Sequence, residues 1–281
     1  MKELEHFVRR KDFLICVDSD GCAMDTMNVK HDRCFGPCMV KEWALEPWAD
    51  CVLKRWNEIN LYSVTRGVNR FLGLVQALQE INAAYCTIPG LEELIQWTNS
   101  AKELSNDTLR QACAGATGPC MAKALAWSER VNRQIDALPA EDKKAFPGVA
   151  DGLEAAHRLA DIAVVSSANR EAVEEEWNRC GILGAVDVLC CQDTGNKAHC
   201  IGELMKLGYR PDRALMVGDA PGDQKAAQKN GVLFYPILVR KEAESWRVFP
   251  EIVQAFVQGQ YGTLSEKFQQ QFLENLGMKN S

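Results

Sequence analysis

The stretch FLICVDSDG, Phe13–Gly21, places an apolar run directly before two acids and a glycine. A run that is apolar at every position, rather than at alternate ones, predicts a strand buried on both faces. Asp18 and Asp20 lie two positions apart, so their side chains point the same way on an extended chain. Two carboxylates that close repel each other unless a cation or a shared proton relieves them. The stretch therefore predicts a buried strand whose end carries a binding or catalytic site.

From Pro147 onward, short apolar runs alternate with amphipathic stretches of helical spacing. This rhythm predicts a parallel sheet covered by helices on both faces, which is an α/β fold with a Rossmann-like, three-layer core. Pro236 weakens the second half of the last predicted strand or places it at a sheet edge. The predicted strands are 13–18, 162–167, 186–191, 214–219 and 232–239.

Residues 28–146 break this rhythm, because strand-like runs are rare there and tryptophans are frequent. Apolar residues recur at helical spacing over 70–81 and 121–135, so we expect an inserted, mostly helical domain. The predicted domains are a discontinuous core, 1–27 and 147–245, the helical insert, 28–146, and a C-terminal helical tail, 246–281.

The bulk composition is ordinary for a folded chain: 281 residues, of which 47% are hydrophobic and 25% charged. A formal net charge of −6 gives no reason to expect a nucleic-acid partner, since acid-rich chains repel phosphate backbones. No apolar run approaches the length that crosses a bilayer, and the charged N-terminal segment lacks the apolar stretch of a signal peptide. We therefore expect a cytoplasmic protein without a membrane partner, and the composition leaves its oligomeric state open.

The twelve cysteines are scattered along the chain, mostly in apolar or helical contexts. This distribution favours small, buried, reduced thiols over a disulfide framework. The group His31, Cys34 and Cys38 comes nearest to a zinc-binding spacing, but no matching second half follows it. We therefore do not expect a zinc site.

Polar residues collect at the ends of the predicted strands, which is where ligands bind in an open α/β sheet. Acids arriving from separate strand ends supply the oxygen ligands of a hard cation, and Mg²⁺ is the usual choice when phosphate is the substrate. A helix N-terminus after Ser166, together with the positive charge of Lys197, suits an anion. These features predict a phosphate-binding site in which one aspartate is available as nucleophile. The strand-end residues are Asp18, Asp20, Ser166, Ser167, Asn169, Asp193 and Asp219.

The sequence resembles the haloacid dehalogenase superfamily of phosphohydrolases in all four of its motifs and in their order. The D-x-D motif reads Asp18–Cys22, the serine motif is Ser166, the lysine motif is Lys197, and the G-D-x-x-x-D motif reads Gly218–Asp223. The insert is similar in position and helicity to the helical cap of the branch that includes phosphoglycolate phosphatases and β-phosphoglucomutases.

This resemblance implies a Mg²⁺-dependent phosphatase that acts on a small phosphorylated metabolite. Asp18 would be the nucleophile and form an aspartyl-phosphate, and Asp20 would be the general acid and base. The implied metal residues are Asp18, Asp20 through its backbone carbonyl, Asp219 and Asp223, with Asp223 orienting metal-bound water or Lys197. The implied phosphate-binding residues are Ser166, Ser167 and Lys197.

Several positions stand outside the motif assignment. Cys22 replaces the threonine or valine that is usual in the first motif, and Asp25 is interpreted as a helix-capping acid. Arg66 and Arg70 flank a glycine before a predicted helix, and an arginine there could bind a second anionic group of the substrate. Asn169 follows the serine motif closely and is a further candidate substrate residue.

Three alternatives remain at the level of sequence. A phosphomutase on this scaffold would return the phosphoryl group to a sugar rather than to water. A phosphonate hydrolase would need an imine-forming lysine in the insert, and neither Lys30, Lys41 nor Lys54 stands in a matching context. A non-enzymatic binding protein would not require the intact motif acids.

Overall fold

The computed structural model describes residues 3–115 and 118–278. The described chain divides into two compact units: unit 1 comprises the described residues of Met1–Met27 and Ala140–Ser281, and unit 2 comprises those of Asn28–Pro139. In the described ranges no helix is both long enough and apolar enough to cross a membrane.

Seven strands are present in the described residues, all of them in unit 1. In chain order they are β1 (Leu14–Val17), β2 (Met24–Asp25), β3 (Lys144–Ala145), β4 (Asp161–Val165), β5 (Val188–Cys190), β6 (Ala214–Gly218) and β7 (Leu233–Pro236).

Five of these strands form one parallel sheet in the order β5-β4-β1-β6-β7. In β1, Leu14 aligns with Asp161 of β4 and with Ala214 of β6. Successive side chains of a strand point to opposite faces, and all four residues of β1 are buried, so both faces of the sheet are covered. The α/β fold predicted from the apolar runs is thereby confirmed, and the carboxyl ends of the parallel strands meet at one edge.

The helices alternate with the strands in unit 1 and account for most of unit 2. They are α1 (Met27–Lys30), α2 (Gly36–Glu42), α3 (Ala49–Leu61), α4 (Arg70–Ala84), α5 (Leu91–Ser100), α6 (Asn106–Cys113), α7 (Pro119–Asp136), α8 (Val149–His157), α9 (Arg170–Arg179), α10 (Lys197–Met205), α11 (Pro221–Lys229), α12 (Glu242–Val257) and α13 (Tyr261–Asn275). One π-helical turn, His31–Phe35, joins α1 to α2.

The last strand, β7, lies at one edge of the sheet and ends at Pro236. Proline lacks the N–H that a central strand would donate, which explains both the position and the early end. The expectation of an edge strand with a weakened second half is therefore confirmed.

Two sequence boundaries differ from the structure. Residues 140–146 belong to unit 1 rather than to the insert, because β3 pairs antiparallel with β2 and the Phe146 N–H donates to the Ala23 carbonyl. Asp25 lies within β2, and α1 begins only at Met27, so the interpretation of Asp25 as a helix-capping acid is wrong.

The C-terminal helices are part of the hydrophobic core of unit 1 rather than a separate tail. Trp246, Phe249 and Phe256 of α12 are buried among the side chains of the sheet and α8. A Cβ on Gly152 of α8 would lie 3.0 Å from the Trp246 ring, so the glycine provides the space in which the indole packs. Residues 246–261 thus stabilise the sheet directly, since burial of large aromatic side chains contributes strongly to folding.

Unit 2 has its own core, built largely from the tryptophans and phenylalanines of the insert. Trp56 and Trp127 are fully buried and meet edge to face with ring centroids 6.0 Å apart. Phe71 meets Trp127 in the same manner at 6.2 Å. His31 accepts a hydrogen bond from the Trp56 indole, which places it in this aromatic core. These contacts explain the high tryptophan content of the insert as packing.

Candidate active site

The stretch that ends β1 turns sharply at the carboxyl edge of the sheet. The Asp18 N–H donates to the Val217 carbonyl of β6 at 3.0 Å, so the sheet still holds this residue. Beyond it, the Ser19 carbonyl accepts the N–H groups of residues 22–24 at 3.3, 3.0 and 2.8 Å. Gly21 has φ +81°, a conformation that glycine adopts without steric cost. We call residues 18–25 the active-site loop.

Lys197, the first residue of α10, lies between two acids that come from different parts of the chain. Its Nζ is 2.8 Å from Asp18 Oδ1 and 2.5 Å from Asp223 Oδ1. All three side chains are largely buried, so the ion pairs are weakly screened. Burial alone lowers the pKa of Lys197, but the two carboxylates outweigh it and raise that pKa above its ordinary value. The lysine is therefore a fixed positive charge.

Three carboxylates converge beside this lysine. Oxygen atoms of Asp18, Asp219 and Asp223 all lie within 4.8 Å of one another, and the three residues are buried. Burial raises the pKa of Asp18 well above its ordinary value, Lys197 opposes the shift, and the neighbouring acids add to it. A cluster of oxygen donors at these mutual distances fits a hard divalent cation, which would relieve the repulsion.

The G-D-x-x-x-D motif forms the end of β6 and the first turn of α11. A Cβ on Gly218 would lie 2.4 Å from the Asp223 Cβ, so only glycine permits this close approach. Asp223 Oδ2 accepts the Ala220 N–H at 3.0 Å, which fixes the carboxylate at the start of the helix. The spacing of the motif thus brings Asp223 back to Lys197.

Asp20 is half-buried and accepts a hydrogen bond from the Thr26 hydroxyl at Oδ1. Its carboxylate is not one of the three that converge, and its predicted role as a metal ligand concerns the backbone carbonyl instead. Sequence reasoning did not identify Thr26, which lies six residues after Asp20. Thr26 is fully buried, so its hydroxyl is a fixed donor that restricts the orientation of Asp20.

The serine motif lies between β4 and α9. Ser166 is buried, its N–H donates to the Cys190 carbonyl at 2.9 Å, and its Oγ accepts the Ala168 N–H at 3.1 Å. Ser167 is exposed.

Asn169 caps α9, because its Oδ1 accepts the N–H groups of residues 171 and 172 at 2.9 and 3.3 Å. Its amide oxygen is therefore used within the helix cap, and a substrate role for Asn169 stays a prediction.

Asp193, the strand-end acid after β5, is not one of the three clustered acids and forms an ion pair with Arg170. The Arg170 guanidinium donates to both of its carboxylate oxygens, at 2.5 and 3.0 Å. These hydrogen bonds lower the pKa of Asp193. Arg170 also donates to the Leu189 carbonyl at 3.0 Å, so the pair fixes the start of α9 against β5.

The two candidate arginines of the insert are engaged within unit 2. Arg66 is buried and donates from Nη1 to the Leu61 carbonyl at 2.8 Å. Arg70 donates from Nη1 to Ser128 Oγ at 3.0 Å and to Asn132 Oδ1 at 2.6 Å. Burial lowers the pKa of Arg70 to about 10. These contacts explain both residues as parts of the packing of unit 2, and substrate binding by either stays a prediction.

Solved structures provide the first comparison with known proteins. The structure superposes on a haloacid dehalogenase-like family hydrolase from Streptococcus pneumoniae with a TM-score of 0.54 and 13% identity, covering 88% of this chain and 98% of that one. A candidate phosphoglycolate phosphatase from Lactobacillus delbrueckii subsp. bulgaricus gives a TM-score of 0.50 at 16% identity, covering 81% and 86%. A haloacid dehalogenase-like family hydrolase from Xanthomonas campestris gives 0.50 at 12% identity, covering 91% and 98%. At these identities the likeness concerns the fold.

The sequence comparisons are narrower. The search of the curated proteins found no match. The family model for haloacid dehalogenase-like hydrolases matches residues 68–237, which is more than half of the chain and includes the serine, lysine and G-D-x-x-x-D motifs. The chain therefore belongs to the haloacid dehalogenase-like hydrolases and is an enzyme of that class.

Proposed function

We propose that this hydrolase is a Mg²⁺-dependent phosphatase that releases phosphate from a small phosphorylated metabolite through an aspartyl-phosphate on Asp18. The observation that carries the proposal is the position of Lys197 between Asp18 and Asp223, with Asp219 in the same buried cluster. A nucleophile, a fixed cation and a set of oxygen ligands at one sheet edge are the parts that phosphoryl transfer requires.

The residues that would hold Mg²⁺ are the three of the acid cluster, Asp18, Asp219 and Asp223. Their donor atoms are all carboxylate oxygens, which suits Mg²⁺ better than a softer metal. When bound, the ion supplies positive charge against the transferring phosphoryl group and the nucleophile. The backbone carbonyl of Asp20 is the fourth protein ligand that we propose.

In the first step the Asp18 carboxylate attacks phosphorus, and the bond to the leaving oxygen breaks. Asp20 gives its proton to that oxygen, and the hydrogen bond from Thr26 keeps the Asp20 carboxyl oriented. In the second step Asp20 takes a proton from water, which attacks the aspartyl-phosphate and releases inorganic phosphate. Asp18 is regenerated as a carboxylate, so protons and charges balance over the cycle.

The negative oxygens of the phosphoryl group need fixed donors throughout. Lys197 supplies a full positive charge, and Ser166 and the exposed Ser167 lie just before α9, whose N-terminus favours anions. We assign phosphate binding to these groups. Unit 2 we assign as the cap domain, whose residues select the substrate.

A panel of phosphorylated metabolites and aryl phosphates, assayed with and without Mg²⁺, tests the proposal. The expected result is phosphate release from at least one ester that stops when the metal is chelated. Phosphorus NMR of the products separates release to water from return of the phosphoryl group to a sugar. Absence of release across the panel, or release that chelation leaves unchanged, would contradict a Mg²⁺-dependent phosphatase.

A further inference from the structure

Two fully buried tryptophans donate their indole N–H groups to the active-site loop. Trp177 Nε1, on α9, donates to Ser19 Oγ at 2.8 Å. Trp246 Nε1, on α12, donates to the Cys22 carbonyl at 2.8 Å. The two bonds arrive from helices far apart in sequence and contact the loop on either side of Asp20.

The nucleophile and the general acid depend on different supports. Asp18 continues the register of β1 and donates its N–H to the Val217 carbonyl, so the sheet holds it. Asp20 lies beyond the strand, in the turn closed by the N–H groups that meet the Ser19 carbonyl. Because that turn is bonded internally, a tether at Ser19 or Cys22 restrains the turn as one body. The indoles are therefore placed to set the position of Asp20 more than that of Asp18.

Each indole is itself held firmly. The Trp246 ring meets Phe249 edge to face with centroids 5.0 Å apart, and a Cβ on Gly148 would lie 3.3 Å from the Trp246 Cβ. Trp177 is fully buried, and its backbone carbonyl accepts the Ile182 N–H at 3.0 Å. A donor with this little freedom transmits its position to its acceptor, because moving it would open cavities in a close-packed core.

We propose that Trp177 and Trp246 are positioning residues that hold Asp20 in line with the leaving oxygen. This inference rests on the proposed phosphatase function. It also gives a purpose to α12, since Trp246 lies outside residues 68–237, which the family model matches. The loop therefore depends on a helix that follows the last strand of the sheet.

The test uses Trp177→Phe and Trp246→Phe in the full chain, which keep an aromatic ring but remove the N–H. The matched control is Trp127→Phe, since Trp127 is equally buried and donates to the Phe35 carbonyl at 3.1 Å within unit 2. The measured quantity is kcat/KM on two esters, phenyl phosphate and 2,4-dinitrophenyl phosphate. Phenolate is a poor leaving group that needs the proton of Asp20, whereas dinitrophenolate leaves without one.

We expect Trp177→Phe and Trp246→Phe each to lose about tenfold or more in kcat/KM on phenyl phosphate but less than about threefold on the dinitrophenyl ester. The control should keep the wild-type ratio between the esters. A purely structural role lowers the fraction of folded enzyme and therefore lowers both rates equally. The inference would be overturned if Trp177→Phe and Trp246→Phe lost kcat/KM equally on both esters or not at all. A selective loss on phenyl phosphate in the Trp127→Phe control would also overturn it.

Ser19→Ala keeps the inference testable if Trp177→Phe does not fold, because it removes the acceptor of the same bond with a small change in volume. The same selective loss on phenyl phosphate is expected, and an unchanged ratio contradicts the proposal. Wild-type enzyme that hydrolyses neither ester, nor any other in the panel, would instead contradict the proposed function and this inference with it.

Discussion

The cation of the active-site cluster and the arginines of the insert have different kinds of partner. Lys197 is buried against two carboxylates that come from distant segments. Arg70 donates to the neutral oxygens of Ser128 and Asn132, and its guanidinium lies 5.0 Å from the centre of the Phe35 ring. Lys197 therefore lies between opposite charges, whereas Arg70 contacts neutral groups and an aromatic ring, and a substrate role for the arginines stays a prediction.

The largest effect is expected where the ionic pairing is densest. Lys197→Met removes the cation but keeps a side chain of similar length, leaving Asp18 and Asp223 buried and facing each other. We expect the free energy of unfolding without metal to fall by about 3–5 kcal/mol. Phosphatase activity should fall about 100- to 1000-fold, because the phosphoryl group loses a charged donor. Urea denaturation and steady-state kinetics measure the two effects.

Lys206→Met is the control for that variant, since Lys206 is exposed and pairs with Glu203 on the surface. Its expected change in stability is below about 0.5 kcal/mol. An equal loss of stability in the two variants would show that the buried ion pairs of Lys197 stabilise the fold no more than a surface ion pair does.

A second substitution tests whether Asp223 contributes to Mg²⁺ binding or only to the ion pair with Lys197. Asp223→Asn keeps the shape of the side chain but halves the negative charge that faces Lys197. We expect the Mg²⁺ concentration for half-maximal activity to rise about 10- to 100-fold. Asp212→Asn, at an exposed pair with Arg210, should leave it unchanged. A normal Mg²⁺ requirement in Asp223→Asn would show that Asp223 serves the lysine alone.

In unit 2 the expected effects are on stability. Arg66→Met removes the donor to the Leu61 carbonyl in a buried position, so that carbonyl loses a hydrogen bond. We expect the free energy of unfolding to fall by about 1–3 kcal/mol. For the molecules that remain folded, kcat/KM on an aryl phosphate should stay within about threefold of wild type. A selective loss of activity without a loss of stability would identify Arg66 as a substrate residue.

The smallest effect is expected at the half-buried arginine. Arg70→Met loses hydrogen bonds to neutral groups only: Asn132 is exposed, and the buried Ser128 hydroxyl still donates to Asn106 Oδ1. Stability should therefore fall by about 1 kcal/mol or less. The KM for esters with one anionic group should not change measurably. A rise in KM of more than tenfold for an ester with a second negative group would instead identify Arg70 as a substrate-binding residue.

The sequence predicts the sheet and the cluster well because both follow from strong local signals. Continuous apolar runs identify the strands, and parallel strands bring their carboxyl ends to one edge, where the pairing of β1 with β6 places Asp18 beside Asp219. The G-D-x-x-x-D spacing then returns Asp223 to the same place within one helical turn. Strand order carries no comparable local signal, and neither does the small pairing of β2 with β3.

Long-range hydrogen bonds are the part that the sequence does not reveal. Trp246 and Cys22 are 224 positions apart, and nothing around either residue indicates that they bond. The amphipathic pattern of the C-terminal helices suggested a tail, although their apolar faces pack into unit 1. The pattern identifies an apolar face but not the surface against which it packs, since the hydrophobic effect has no preferred direction.

The most direct test of the proposed mechanism is a search for a phosphoryl group on Asp18. Wild-type enzyme is mixed with Mg²⁺ and a substrate from the panel, quenched in acid during turnover, digested and mapped by mass spectrometry. We expect a hydroxylamine-sensitive phosphoryl group on the peptide that contains Asp18, and neither this adduct nor turnover in Asp18→Asn. Turnover with no adduct at any quench time, together with wild-type rates in Asp18→Asn, would contradict the proposed mechanism.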